Sequence, residues 1–206
     1  SLLAFSYTSE EDFRRKRKQM ERAVAEKGFA YLPQRNALTP DYDWIVKNSV
    51  RDMKETAVRL QSEAKRLGYQ DARRFHGMMA AFVQSMPYKM PPAARSDAVG
   101  RKIFIGGVTM PLETLYRGYG DCDTKSVLFA SILKNFRGTD VVFLAGNRHM
   151  FAAVPMEPRM YDSYILLKGK KYLLIELTQP WHLGHVPREH LHALRLKKLE
   201  VMHLAE

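Results

Sequence analysis

Gly118-Tyr119-Gly120-Asp121-Cys122-Asp123-Thr124-Lys125-Ser126 is a glycine-rich turn running straight into a helix, and it parts a helical half of the chain from a strand-rich half. Asp121 reads as the N-cap, since its carboxylate can accept from the free N–H groups of the first turn. Val127, Leu128, Ala130, Ile132 and Leu133 carry the helical pattern on to about Phe136. The cysteine thus falls at a helix start, where unpaired N–H groups and the positive end of the helix dipole favour thiolate over thiol.

Beyond this helix the apolar runs shorten and take a strand character: Val141 to Leu144, Met150 to Val154, Tyr161 to Leu167 and Tyr172 to Leu177. Lys168-Gly169-Lys170 reads as a hairpin turn between the last two. A short helix, Arg188 to Leu194, is expected near the C-terminus.

Upstream the pattern is helical. Thr39-Pro40 reads as a cap with a proline at the first helical position, and Asp41 and Asp43 put acids in the first turn. The stripe Met53, Ala57, Leu60, Ala64, Leu67 then runs to Gly68, where a C-terminal cap belongs. A further helix from about Asp71 to Met86 is closed by Pro87, and Leu112 to Tyr116 is a short one. From Tyr88 to Met110, with Pro91-Pro92 and Gly106-Gly107, the pattern fails and a long loop with a short strand or hairpin around Ile103 to Ile105 is expected. Helices first and neighbouring strands afterwards indicate an α+β fold. Residues 1–70 form an N-terminal helical segment and residues 71–206 the core, in one compact unit.

Among 206 residues, 33 Lys and Arg stand against 22 Asp and Glu, a net charge of +11, and there is one cysteine. A single cysteine excludes an internal disulfide framework and any zinc site built from two cysteines of this chain. The charge is spread: residues 1–90 hold 17 basic and 11 acidic side chains, residues 91–206 hold 16 and 11. Only Arg14-Arg15-Lys16-Arg17-Lys18 is a dense run, on a helical stripe with Phe13, Met20 and Val24, and it reads as a solvated helix face before a nucleic-acid or anionic-surface patch. No apolar stretch is long enough to span a bilayer. The chain opens on Ser1, which leaves room for a leader or anchor upstream, and its compartment, periplasmic or extracytoplasmic against cytoplasmic, stays open.

A nucleophilic cysteine needs a base, and the base an orienting partner. His149 opens one apolar strand, and Glu176 sits in another, Leu173-Leu174-Ile175-Glu176-Leu177-Thr178, where an unpaired carboxylate would be costly. An imidazole on an adjacent antiparallel strand would satisfy it. The Cys122 N–H, at the helix start, is a natural donor to a tetrahedral oxyanion.

The ordered motifs Phe82-Val83-Gln84-Ser85-Met86-Pro87-Tyr88, Met110-Pro111-Leu112-Glu113-Thr114-Leu115, Gly120-Asp121-Cys122-Asp123, His149 and Ile175-Glu176-Leu177-Thr178 resemble the bacterial transglutaminase-like superfamily, over about residues 75 to 180. The resemblance implies a papain-like core, a nucleophile helix packed on an antiparallel sheet, and a Cys–His–acid triad mapped onto Cys122, His149 and Glu176. Many members of that group have Asp where this chain has Glu176. With the upstream position, the resemblance points to Gln84 as the second oxyanion donor.

His182, His185, His190 and His192 invite a metal reading, but their spacings match no standard ligand frame and two of them fall on the short helix, facing solvent. No Walker loop is present, and Gly106-Gly107 lacks a dinucleotide-binding frame. The reading is a cysteine hydrolase, a peptidase or amidase, working on a peptide or protein substrate through a thioester and needing neither metal nor organic cofactor. The alternatives are an amine-accepting transamidase of the same fold, and a basic non-catalytic module binding a polyanion or an acidic partner. Substrate identity and oligomeric state are not legible.

Overall fold

A computed structural model of the chain describes residues 6–32, 37–90, 94–96, 100, 102–104, 107–146, 148–196 and 198–205. The expectations for Ser1, Pro91-Pro92, Ile105 and Gly106 lie outside the described residues. In chain order the elements are α1 (Glu10–Ala25), β1 (Phe29–Leu32), β2 (Ala37–Pro40), α2 (Tyr42–Ser49), α3 (Lys54–Arg66), α4 (Ala72–Gln84), β3 (Ala94–Ser96), β4 (Lys102–Phe104), α5 (Pro111–Arg117), α6 (Cys122–Leu133), β5 (Val142–Gly146), β6 (His149–Pro155), β7 (Tyr164–Leu167), β8 (Lys170–Ile175), α7 (Arg188–Arg195) and β9 (Glu200–His203). The class is α+β.

An antiparallel sheet ordered β7-β8-β6-β5-β9 forms the back of the molecule. Its three inner strands alternate between two apolar layers, as a sheet covered on both faces requires. Phe143, Ala152, Val154, Leu173 and Ile175 face the helices. Val142, Leu144, Phe151, Ala153 and Leu174 face Val186 and Leu191 on the other side. The β7–β8 connection is the expected Lys168-Gly169 turn, with both residues at positive φ, 48° and 79°; this is the backbone that matches strand twist in a two-residue hairpin.

Helix α6 lies across this sheet. Every residue from Thr124 to Leu133 is buried, because α2, α3, α4 and α5 close around the faces that the sheet leaves open. Ser126 and Ser131 are accommodated by donating to the carbonyls of Cys122 and Val127, both at 2.7 Å. The residue 1–70 segment therefore is not a separate layer: Ile45, Val46, Met53 and Ala57 belong to the same core as Phe129 and Val154.

Three local expectations are corrected. The helical stripe through Met53 and Leu67 is real, but the helix expected from Asp41 to Gly68 is two, α2 and α3, broken at Val50–Met53. Thr39-Pro40 ends strand β2 instead of capping α2; Asp41 is the cap, accepting from the Trp44 N–H at 3.0 Å. Strand β9, paired to β5 along its length, was not expected at all. The run Arg14 to Lys18 lies on α1, where Arg14, Arg15, Lys16 and Arg17 pair with Glu10, Asp12 and Glu21, so most of its charge is neutralised within the helix.

Candidate active site

Cys122 is the first residue of α6, and Asp121 caps it as the sequence suggests, accepting from the Thr124 N–H at 3.2 Å. The turn before it is clamped. Gly120 donates to the carbonyl of Pro87 at 3.3 Å and accepts from Lys89 at 3.1 Å, which ties the turn before Cys122 to the segment leaving α4. A Cβ on Gly120 would stand 2.7 Å from the Thr124 methyl carbon, so the close turn needs glycine there.

His149 is placed by a tight hairpin: Gly146 pairs with His149 across β5 and β6, which makes His149 the first residue of its strand. Strand β8 lies on the other side of β6, with Ile175 opposite Ala152. Continuing that register sets Glu176 opposite Phe151, on the same face as His149 two residues along, so the two side chains meet diagonally. The imidazole Nε2 and the Glu176 carboxylate are 2.7 Å apart. The second carboxylate oxygen accepts from the N–H and hydroxyl of Thr178, at 2.7 and 2.6 Å. Glu176 falls one residue past the end of β8, where the sequence suggests a strand running on to Leu177; it is 1% exposed, and these three donors compensate the burial of its carboxylate.

With Nε2 engaged by Glu176, Nδ1 is the ring nitrogen left for the Cys122 thiol, which lies near enough to act on the His149 pKa. Burial lowers the His149 pKa, but the Cys122 and Glu176 partners outweigh it and hold the imidazolium up to about 9. Burial likewise pushes Glu176 up, and the bonds from His149 and Thr178 bring it below the usual carboxylate range. Both shifts favour the charged pair. The structure thus joins His149 to Glu176 directly and sets Cys122 close to that pair.

Gln84 is near them but differently used. Its amide nitrogen donates to the carbonyls of Glu176, at 2.7 Å, and Trp181, at 2.8 Å. An amide nitrogen has two hydrogens, and both are engaged here, so Gln84 braces the Glu176 segment to α4. A contact from Gln84 to an oxyanion requires one of these bonds to be exchanged.

Two residues that sequence reasoning missed complete the arrangement. Lys125, one turn along α6 from the thiol, is 0% exposed. Its ammonium donates to the carbonyls of Met86 at 2.6 Å and Leu177 at 3.2 Å, joining the ends of the two segments that carry Gln84 and Glu176 to the nucleophile helix. A lysine on an otherwise apolar buried helix was the available signal. His190, expected to face solvent on α7, stacks on His149 with ring centroids 4.5 Å apart and an interplanar angle of 18°. Phe151 meets the His149 ring edge-on at 4.6 Å. The imidazole is thus held by packing as well as by Glu176.

Beside the thiol, Asp123 is pushed up to about 7 by burial and by the neighbouring Asp121, against a hydrogen bond from the Tyr42 hydroxyl at 3.0 Å. Tyr88 stands exposed, its pKa raised by partial burial and by the acidic groups around it. No group of three or more His, Cys, Asp or Glu side chains among the described residues is arranged to hold a metal ion. His182 and His185 face one another at 6.0 Å, apart from His190. No helix among the described residues is long and apolar enough to cross a membrane.

Comparison with protein-family models, curated proteins and solved structures returns no match for this chain. The chemistry the site can support therefore rests on its own geometry: a thiol at a helix N-terminus, a base close to it, and a buried acid fixing the base.

Proposed function

We propose that the protein is a cysteine hydrolase of transglutaminase-like type, a peptidase or amidase with a papain-like catalytic core. The observation that carries this reading is the Cys122–His149–Glu176 relay, with the 2.7 Å His149–Glu176 bond at its centre. Cys122 transfers its proton to His149 and attacks the carbonyl carbon of a peptide or side-chain amide. The tetrahedral oxyanion is received by the Cys122 N–H, the first of the helix and so without an intrahelical acceptor. Gln84 joins it when substrate draws one amide hydrogen from the Trp181 carbonyl. The imidazolium then protonates the departing amine, leaving a thioester on Cys122. Water, deprotonated by His149, attacks the thioester and releases the acid, restoring the thiol. Glu176 stays ionised and keeps the ring in place throughout.

The test is the pH dependence of Cys122 alkylation by iodoacetamide, followed by intact mass. An activated pair gives substantial labelling well below the ordinary thiol pKa of about 8.5, and His149→Ala moves the profile up toward that value. An ordinary profile that His149→Ala leaves unchanged refutes the reading. Trapping a peptidyl thioester and offering it water or methylamine then separates hydrolase from transamidase.

A further inference from the structure

A cleft of about 730 Å³ runs along α4 and is walled on its far side by residues 159–162 and 180–185. It ends at Gln84 and Trp181, the pair whose hydrogen bond adjoins the one holding the Glu176 carbonyl. The cleft thus abuts the frame of the candidate active site.

Its charge is one-sided. Arg73, Arg74 and Arg159 line it, against one carboxylate, Asp162. That carboxylate is already committed: it pairs with the Arg73 guanidinium at 2.5 Å and accepts the backbone N–H of Arg159 at 2.6 Å. Asp162 is nearly buried, and those partners hold its pKa below the ordinary value against the effect of burial. It is committed to Arg73 and the Arg159 backbone, so it does not pair with the guanidiniums of Arg74 or Arg159. Arg74 has one ion-pair partner among the described residues, Asp71, at 3.5 Å between exposed side chains, a contact of little energetic weight. The Arg159 guanidinium has no ion pair among the described residues, and its side chain is exposed. Between these charges Met78, Ala81 and Leu183 give an apolar lining.

We propose that this cleft binds an acidic stretch of the polypeptide substrate, with substrate carboxylates received by the guanidiniums of Arg74 and Arg159 and the intervening backbone lying on Met78 and Leu183. The proposal rests on the hydrolase reading for the word substrate. Arginine suits the task because its planar fork grips carboxylate oxygens in pairs. The net charge of +11 adds a long-range field that draws an acidic chain toward the molecule. A partly apolar cleft beside an amide-cleaving site fits a peptide better than a polynucleotide, which would need a continuous basic track.

The experiment uses the full chain with Cys122→Ala, so that binding is read without turnover. A fluorescein-labelled peptide alternating Glu and Ala is compared by anisotropy with its Gln and Ala counterpart, at low and moderate salt. The acidic peptide is expected to bind about tenfold or more tightly than the amide peptide, and added salt narrows the gap. Arg74→Gln with Arg159→Gln, two exposed positions whose loss leaves the core untouched, abolishes the preference. Equal affinity for the two peptides, no binding of the acidic peptide up to about 1 mM, or a preference that survives the double substitution overturns the proposal. So does tighter binding of a labelled oligothymidine that the same double substitution removes. Because this readout needs no reactive thiol, a failed alkylation test leaves it standing, and its failure leaves the alkylation result standing.

Discussion

Replacing Lys125 with methionine keeps an unbranched side chain of similar length and removes only the ammonium. In the native structure that group has no exposure and donates to the carbonyls of Met86 and Leu177. Burial pulls its pKa down and the Glu176 charge opposes that pull, so the lysine is held by its partners at a cost in desolvation. Two hydrogen bonds from a charged donor contribute about 1.5–3 kcal/mol each, and relief of the buried charge returns part of that sum. A net loss of about 3 kcal/mol follows, which in a chain of this size is a fall of about 6–12 °C in Tm. The segments freed are those bearing Gln84 and Glu176, so the alkylation profile of Cys122 should also shift upward in pH. Calorimetry and iodoacetamide labelling on the same variant read both. Lys125→Arg retains the charge but brings a larger fork into a site without free volume, at a cost of about 1–3 kcal/mol, and should not restore wild-type behaviour. A Lys125→Met protein melting within about 2 °C of wild type, with its alkylation profile unmoved, would refute the idea that this ammonium ties the site together.

The His149–Glu176 pair gives stability a pH signature. Glu176 lies below its ordinary value of 4.5, so its contribution is present above that pH and lost as pH falls; His149 is raised from 6.5 to about 9, so its contribution is full below 6.5 and lost as pH rises through about 9. The Tm deficit of Glu176→Gln should therefore be greatest between pH 4.5 and 6.5 and shrink toward pH 9, and a deficit independent of pH contradicts the pairing. Asp121→Ala removes the N-cap of the nucleophile helix and is expected to cost about 1 kcal/mol in urea unfolding, whereas Asp121→Asn keeps the acceptor and most of that stability. Tyr42→Phe removes the hydroxyl that joins α2 to Asp123 and should cost about 1 kcal/mol while moving the Asp123 carboxyl above its present value of about 7, observable by NMR titration.

Local chemistry was the legible part of the fold. An aspartate before an apolar helix, a glycine after a helical stripe and Lys168-Gly169 between two apolar runs each act through backbone geometry within a few residues, and Asp121, Gly68 and the β7–β8 turn stand where those rules put them. The break between α2 and α3 was hidden because a helical stripe of side chains continues in phase across a tight turn. Strand β9 is stabilised by pairing with β5, some sixty residues earlier, and short edge strands carry little pattern of their own.

Within the site, the sequence determined that the thiol stands at a helix start, that a histidine opens one strand and that a buried acid belongs to a separate apolar segment, since a turn, a cap and alternating burial are written in neighbouring residues. Only tertiary structure decided how they meet. The order β8-β6-β5 sets Glu176 beside His149, because strand neighbours are chosen by packing over the whole sheet. The same holds for Gln84, Lys125 and His190. Gln84 donates to the carbonyls of Glu176 and Trp181, Lys125 to those of Met86 and Leu177, and His190 stacks on His149. Each of these partners is a backbone carbonyl or a ring face contributed by a distant segment. Every residue type offers a carbonyl, so the sequence has no letter for where one will point.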